Sequence, residues 1–243
     1  MDRGAPGGSP RIGRDERPWG EQDGGVSKEP MQSAGRADIL AAALREFADH
    51  GFTGATTAGI ARRAGVTQPL VHHHFGSKQG LWNAVMADAY GDLHSVLERT
   101  IQEVEGLDRR ARLARLLHTL VVYFGRRPEL SRLIRTESSA GGAPFDALYT
   151  RWLSGLIDLF RRELAAAVDD GTLRPVDPRL AYSFIIGACA QPFSEPETAR
   201  RAFGLDMHAP ATVELYAEFA VDVLLRGLGA APKPSRPARA RRR

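Results

Sequence analysis

The stretch from Thr56 to Lys78, TTAGIARRAGVTQPLVHHHFGSK, constrains this chain more than any other part of it. Ile60, Ala61 and Ala64 make a small apolar face at helical spacing, and Leu70, Val71 and Phe75 make a second one. Gly65 between them lets the chain turn sharply without a Cβ clash. Val66 is placed to plug the space between the two helices. Thr67 is a good N-cap, because a hydroxyl there accepts from a free backbone N–H one turn on. The spacing therefore predicts two short helices, about Thr57 to Ala64 and about Gln68 to Phe75, joined as a helix-turn-helix. Gln68, His72 and His73 are left to point outward, and His74 is expected to pack between helices.

Around this unit the periodicity is helical throughout, with no sustained apolar–polar alternation and no fixed repeat. A first helix is predicted from about Ser33 to His50, with Ile39, Leu40, Ala43, Leu44 and Phe47 on one face and Gly51 as its cap. A long helix is predicted from Lys78 to about Val104. Further segments follow: Arg109 to Arg126, stopped by Pro128; Glu129 to Ser138; Phe145 to Val168; Pro178 to about Ala190, with Pro192 after it; Glu195 to Phe203; and Thr212 to Leu228. The fold class is all-α. The domains read as 1–32, a disordered tail rich in Gly and Pro; 33–79, a three-helix helix-turn-helix domain; 80–229, a larger helical domain; and 230–243, a basic disordered tail whose Lys233, Arg236, Arg239, Arg241, Arg242 and Arg243 are either solvated or add phosphate contacts.

The pattern resembles the tetracycline-repressor (TetR) family. The matching landmarks are Arg36-Ala37-Asp38-Ile39-Leu40, Phe47, Gly51-Phe52, Ile60-Ala61, Ala64-Gly65-Val66-Thr67, His73, Phe75, Ser77-Lys78 and Leu81. The resemblance implies a small N-terminal DNA-binding domain and a larger domain that binds a small ligand and dimerises through its last two long helices. It implies a homodimer on double-stranded, palindromic operator DNA, released by an unidentified small-molecule effector. A ligand-independent activator or architectural factor is the alternative. The resemblance also assigns roles. Thr56 caps the second helix and touches phosphate, and Thr67 caps the recognition helix. His72 stands where a tyrosine is usual, His73 meets phosphate, and Lys78 and Arg36 reach the DNA backbone. Gln68 is the expected base reader, since its amide can pair with adenine N6 and N7.

Two departures from the family pattern stand out. Gly59 replaces an acidic residue three after Thr56, which removes a capping box. Pro69 sits where glycine is common, a position in the first helical turn that tolerates proline. The three consecutive histidines do not suggest a metal site, because neighbours on a helix fan out by about 100°. Beside phosphate, His72 and His73 are expected to strengthen DNA binding as pH falls toward about 6. Arg62 and Arg63 read as a solvated face, with phosphate contact as the alternative.

In the larger domain, Trp82, Tyr123, Phe124, Tyr149, Trp152, Phe160, Tyr182 and Phe184 are aromatics on predicted helices, most expected in the core. Tyr123, Tyr149 and Trp152, with His118, Arg132 and Arg135, are the candidate ligand-binding residues, since pockets between helices are mostly apolar with a few polar groups. Ile185 to Ala188, with Val213, Tyr216, Ala217, Ala220 and Leu224, are the expected dimer faces.

The chain contains no G-x-S-x-G, no P-loop and no metal ligand set, so catalytic residues, metal and cofactor are all expected to be absent. The net charge of +4 permits a nucleic-acid partner without demanding one. The single cysteine, Cys189, excludes an intrachain disulfide. No apolar run reaches the ~20 residues a membrane span needs. The expectation is a cytoplasmic protein without membrane partners.

Overall fold

The computed structural model describes residues 35–229. The two expected tails lie outside the described residues, where eleven α-helices and one π-helical segment form without a strand. Helices α1 (Arg36–Gly54), α2 (Thr57–Ala64), α3 (Gln68–Phe75) and the start of α4 (Lys78–Glu103) build the helix-turn-helix unit. The predicted face of α1 is buried through Ile39, Leu40, Ala43 and Phe47. Gly51 has the positive φ expected of a cap (67°), but its ψ of 174° is extended rather than left-handed helical, and α1 resumes for another turn instead of ending there. The resulting kink turns Phe52 inward, where Phe47 and Phe52 both meet Trp82 edge-on, at 4.9 and 5.2 Å.

Caps account for several of the boundaries. The Thr56 hydroxyl accepts from the Gly59 N–H at 3.0 Å, as expected, and Gly65 closes α2 in the left-handed region. Thr67 precedes α3 but makes no side-chain cap. Ser77 caps α4 by accepting from the Gly80 N–H at 3.0 Å. Gly80 is needed there for another reason: a Cβ would lie 2.2 Å from the Phe75 carbonyl oxygen, so only glycine lets α4 start this close to the end of α3.

The larger part comprises α5 (Arg109–Arg126), α6 (Pro128–Ala140), α7 (Gly142–Leu148), a π-helical turn (Tyr149–Leu153), α8 (Ser154–Asp169), α9 (Pro178–Ser194), α10 (Pro196–Phe203) and α11 (Pro210–Leu228). The single helix expected from Phe145 to Val168 is thus interrupted by a π turn. Helix α4 runs unbroken past residue 79 and carries the buried Tyr90, Leu93 and Leu97 into the larger core.

Pro192 was expected beyond the end of its helix, but α9 continues through it to Ser194. Proline has no N–H and so leaves the carbonyl four residues earlier without its helical donor. That carbonyl belongs to Ala188, and the Tyr216 hydroxyl of α11 donates to it at 2.8 Å. A tertiary contact thus replaces the missing backbone bond.

The expected dimer faces also need correction. Val213, Ala217, Ala220 and Leu224 are buried within the subunit, where α11 packs on α5, and Ile185 is buried too. Ile186 and Gly187 line a cavity within the subunit that opens to solvent. The same two helices expose a different set: Leu180 and Phe184 (59%) on α9, with Leu215, Phe219 (62%) and Val223 on α11.

Candidate nucleic-acid interface and cavity

Helix α3 is held by Val71, which is fully buried, and by the partly buried Leu70 and Phe75. Gln68, His72 and His73 are all exposed on it, and so is His74, contrary to the expectation that it packs between helices. The helix is only two turns long. On the helical wheel His74 falls between Leu70 and Val71, yet it sits in the last turn of α3 and stays exposed.

Gln68 is oriented from both sides. Its amide Nε2 donates to Thr57 Oγ1 at 3.0 Å and lies 3.5 Å from His72 Nε2. His72 Nδ1 is in turn 3.1 Å from the Gly76 carbonyl oxygen. Thr57 therefore positions the expected base reader. Sequence reasoning missed it because the contact crosses from α2 to α3. The exposed Thr56 lies beside Thr57 at the start of α2.

The expected phosphate contacts are placed around this helix. Arg36 lays its guanidinium 5.3 Å from the Phe75 ring centre. Lys78 donates to the Thr53 carbonyl at 3.1 Å and sits 4.8 Å from the Phe52 ring centre, so its ammonium is held at the rim of the unit. Arg63 is taken up within the protein, pairing with Asp49 at 2.9 Å and Glu46 at 3.2 Å. Arg62 is exposed. Gly59 is explained here as well: a Cβ would lie 2.4 Å from a carboxylate oxygen of Glu46, the buried partner of Arg63.

A cavity of about 410 Å³ lies among α4 to α7, the π turn, α8 and α9. Its wall is mainly apolar, with Leu93, Phe124, Ile134, Leu153, Leu156 and Ile157. The candidate ligand residues divide around it. Arg135 and Tyr149 line it. Trp152 instead lines an adjoining cavity of about 590 Å³ and stacks on Tyr90 at 5.7 Å, so that Tyr90 stands in the wall of both.

The other candidates do not belong to this cavity. His118 Nε2 lies 3.1 Å from Glu214 on a separate polar surface. The Tyr123 hydroxyl donates to the Ala89 carbonyl at 3.1 Å, tying α5 to α4. Burial, with the carboxylate of Asp92 nearby, raises this phenol well above the usual tyrosine range. Arg132 turns away and pairs with Asp49 of α1 at 3.5 Å.

Arg132 marks the second face of α6. Thr136 donates to the Ala48 carbonyl at 3.3 Å. The buried Glu137 carboxylate accepts from the Phe52 N–H at 2.5 Å, at the Gly51 kink. Ser131, Ile134, Arg135 and Ser138 of the same helix line the cavity. One helix therefore touches both the cavity and the helix-turn-helix unit.

Among the described residues no three His, Cys, Asp or Glu side chains gather to hold a metal, and no helix is long and apolar enough to cross a membrane.

Comparison with known proteins agrees with this architecture. The family model described as bacterial regulatory proteins, tetR family, matches residues 39–85, and the one described as tetracyclin repressor-like, C-terminal domain, matches residues 110–224. The chain is 29% identical over 188 residues to the HTH-type transcriptional regulator BetI 1 of Chromohalobacter salexigens, covering 70% of this chain and 87% of that one. With BetI of Burkholderia cenocepacia the identity is 38% over 74 residues, 30% of this chain and 38% of the relative. The fold is similar to the ketosteroid transcriptional regulator KstR2 of Mycobacterium tuberculosis, with a TM-score of 0.65 at 18% identity over 81% of this chain and 95% of that one. It is also similar to FadR of Bacillus subtilis in complex with stearoyl-CoA, with a TM-score of 0.58 at 18% identity over 79% and 98% of the two chains. This chain belongs to the TetR family of transcriptional regulators.

Proposed function

We propose that the protein is a repressor that binds a palindromic operator as a homodimer and is released when a small molecule occupies the cavity among α4, α6, α8 and α9. The observation that carries this reading is the two-faced α6. Four of its residues line the cavity, while Arg132, Thr136 and Glu137 hold α1 near its kink. A ligand that moves α6 therefore moves the base on which the recognition helix is mounted. Ligand binding shifts the operator equilibrium only by its differential affinity for the two arrangements, and such coupling is typically about 1–3 kcal/mol. The fold neighbour FadR, which was crystallised with stearoyl-CoA, supports a small-molecule role for a cavity domain of this shape.

The exposed apolar residues of α9 and α11 supply the dimer surface, and two-fold symmetry suits a palindromic site. Thr56, Gln68, His72, His73, Lys78 and Arg36 form the DNA-facing set. Footprinting on genomic fragments at fixed salt tests the reading, since phosphate contacts make affinity salt-dependent. The expected result is a short palindromic footprint. Gln68→Ala should lower affinity by about 1–3 kcal/mol and relax preference at one base pair, whereas His73→Ala should weaken all sequences alike. Uniform binding to every fragment would overturn the operator reading. A specific footprint that no metabolite extract weakens would overturn the release step and favour a ligand-independent regulator.

A further inference from the structure

Gln68 opens α3, and a recognition helix contacts base edges with its N-terminal residues. Three contacts orient its side chain. His72 Nδ1 lies 3.1 Å from the Gly76 carbonyl oxygen. A carbonyl only accepts, so Nδ1 carries the proton, and in the uncharged ring Nε2 is then a bare acceptor. Gln68 Nε2 lies 3.5 Å from that nitrogen and 3.0 Å from Thr57 Oγ1. A flipped amide would set the Gln68 carbonyl oxygen against the lone pair of His72 Nε2, so the imidazole decides which way the amide faces. Both amide hydrogens are thereby taken up within the protein, one by Thr57 and one by His72. The amide oxygen, Oε1, makes no hydrogen bond among the described residues.

The arrangement limits what this side chain offers to DNA. A glutamine free to turn pairs with adenine through two bonds, donating to N7 and accepting from N6. Here a donation to N7 would give up the bonds to Thr57 and His72 in order to gain one. The oxygen can accept without breaking either. Adenine N6 and cytosine N4 are the two amines that the major groove presents, whereas guanine and thymine offer only acceptors and a methyl group there.

We infer that Thr57 and His72 hold Gln68 as an acceptor only, so that it reads an amino base, adenine and cytosine alike, at one position of each half-site. The sequence-based expectation of a two-bond pair with adenine is thereby narrowed to a single bond shared by two bases. Thr57 and His72 are positioning residues in this scheme, since they act through Gln68. The inference rests on the reading of Gln68 as the base reader and adds the chemistry that it selects.

Selection from a fully randomised duplex library by the full chain, at about pH 8 to keep imidazoles uncharged, provides the test. One column of the aligned sites should lose its preference in Gln68→Ala. In the wild type that column should hold adenine and cytosine on the same strand. Fluorescence anisotropy on the selected duplex should place these two within about twofold of each other, with guanine and thymine at least about fivefold weaker, the loss expected for one net hydrogen bond. Thr57→Val removes an acceptor and frees the amide, so adenine should then be preferred over cytosine by about fivefold. Thr57→Ser should restore the shared preference, and His72→Phe should narrow it as Thr57→Val does. Adenine alone in the wild-type column overturns the inference and leaves Gln68 as the base reader. A shared preference that survives both Thr57→Val and His72→Phe overturns it as well. If Thr57→Val no longer binds DNA, His72→Phe decides by itself. If no column depends on Gln68, the base-reader reading fails and the inference fails with it.

Discussion

Cys189 shows how burial sets the chemistry of a single side chain. It is fully buried on α9, and desolvation pushes its thiol up to about 12. Only the thiolate attacks disulfide reagents. The folded protein at about pH 8 is therefore expected to give no reaction with a chromogenic disulfide, and one thiol should appear on denaturation. The sign of the stability effect follows from the same shift. An unfolded thiol ionises near 9.0, so the contribution of the neutral buried thiol is intact below that pH and is lost as pH climbs toward about 12. Gln68, proposed above as the base reader, is the opposite case: an exposed amide whose orientation depends on Thr57 of the preceding helix. Its identity and outward position follow from local periodicity. Its partner does not, because the two residues meet only after α2 and α3 have packed.

At the level of elements, two helices carry most of the argument. Helix α9 survives Pro192 because Tyr216 of α11 supplies the donor that the Ala188 carbonyl lacks. Tyr216→Phe is expected to lower stability by about 1–3 kcal/mol, the cost of an unpaired polar group in a partly buried site. Chemical denaturation measures it, and an unchanged midpoint would mean that another group takes over that carbonyl. Helix α6 joins the cavity to α1 through Glu137 and its bond to the Phe52 N–H. Removing this acceptor in Glu137→Ala should destabilise the protein by a similar ~1–3 kcal/mol. It should also shrink the ligand-induced change in operator affinity, read by fluorescence anisotropy with and without effector. Full coupling in that variant would place transmission elsewhere.

For the whole molecule, the exposed apolar surface of α9 and α11 is the feature a lone subunit would not retain. Phe184 and Phe219 project from adjacent helices, and contiguous apolar surface of this kind marks an interaction site. Phe184→Asp combined with Phe219→Asp is expected to sediment as a monomer at micromolar concentration and to lose operator affinity, because one recognition helix then reads one half-site. A dimer that persists in this double variant would place the interface elsewhere.

The helical class, the helix-turn-helix and the outward position of Gln68, His72 and His73, though not of His74, follow from the sequence alone. Periodicity, the Gly65 turn and the Thr56 cap act within a few residues of one another, so the information they need is local. The packing of α11 on α5, the close start of α4 at Gly80, the split of His118, Tyr123 and Arg132 away from Arg135 and Tyr149, and the choice of which apolar face of α9 and α11 stays exposed were decided by tertiary structure. A helix with apolar residues on more than one side does not state which side meets its own subunit. That is settled by which neighbours are close enough to exclude water, and those neighbours lie far away along the chain.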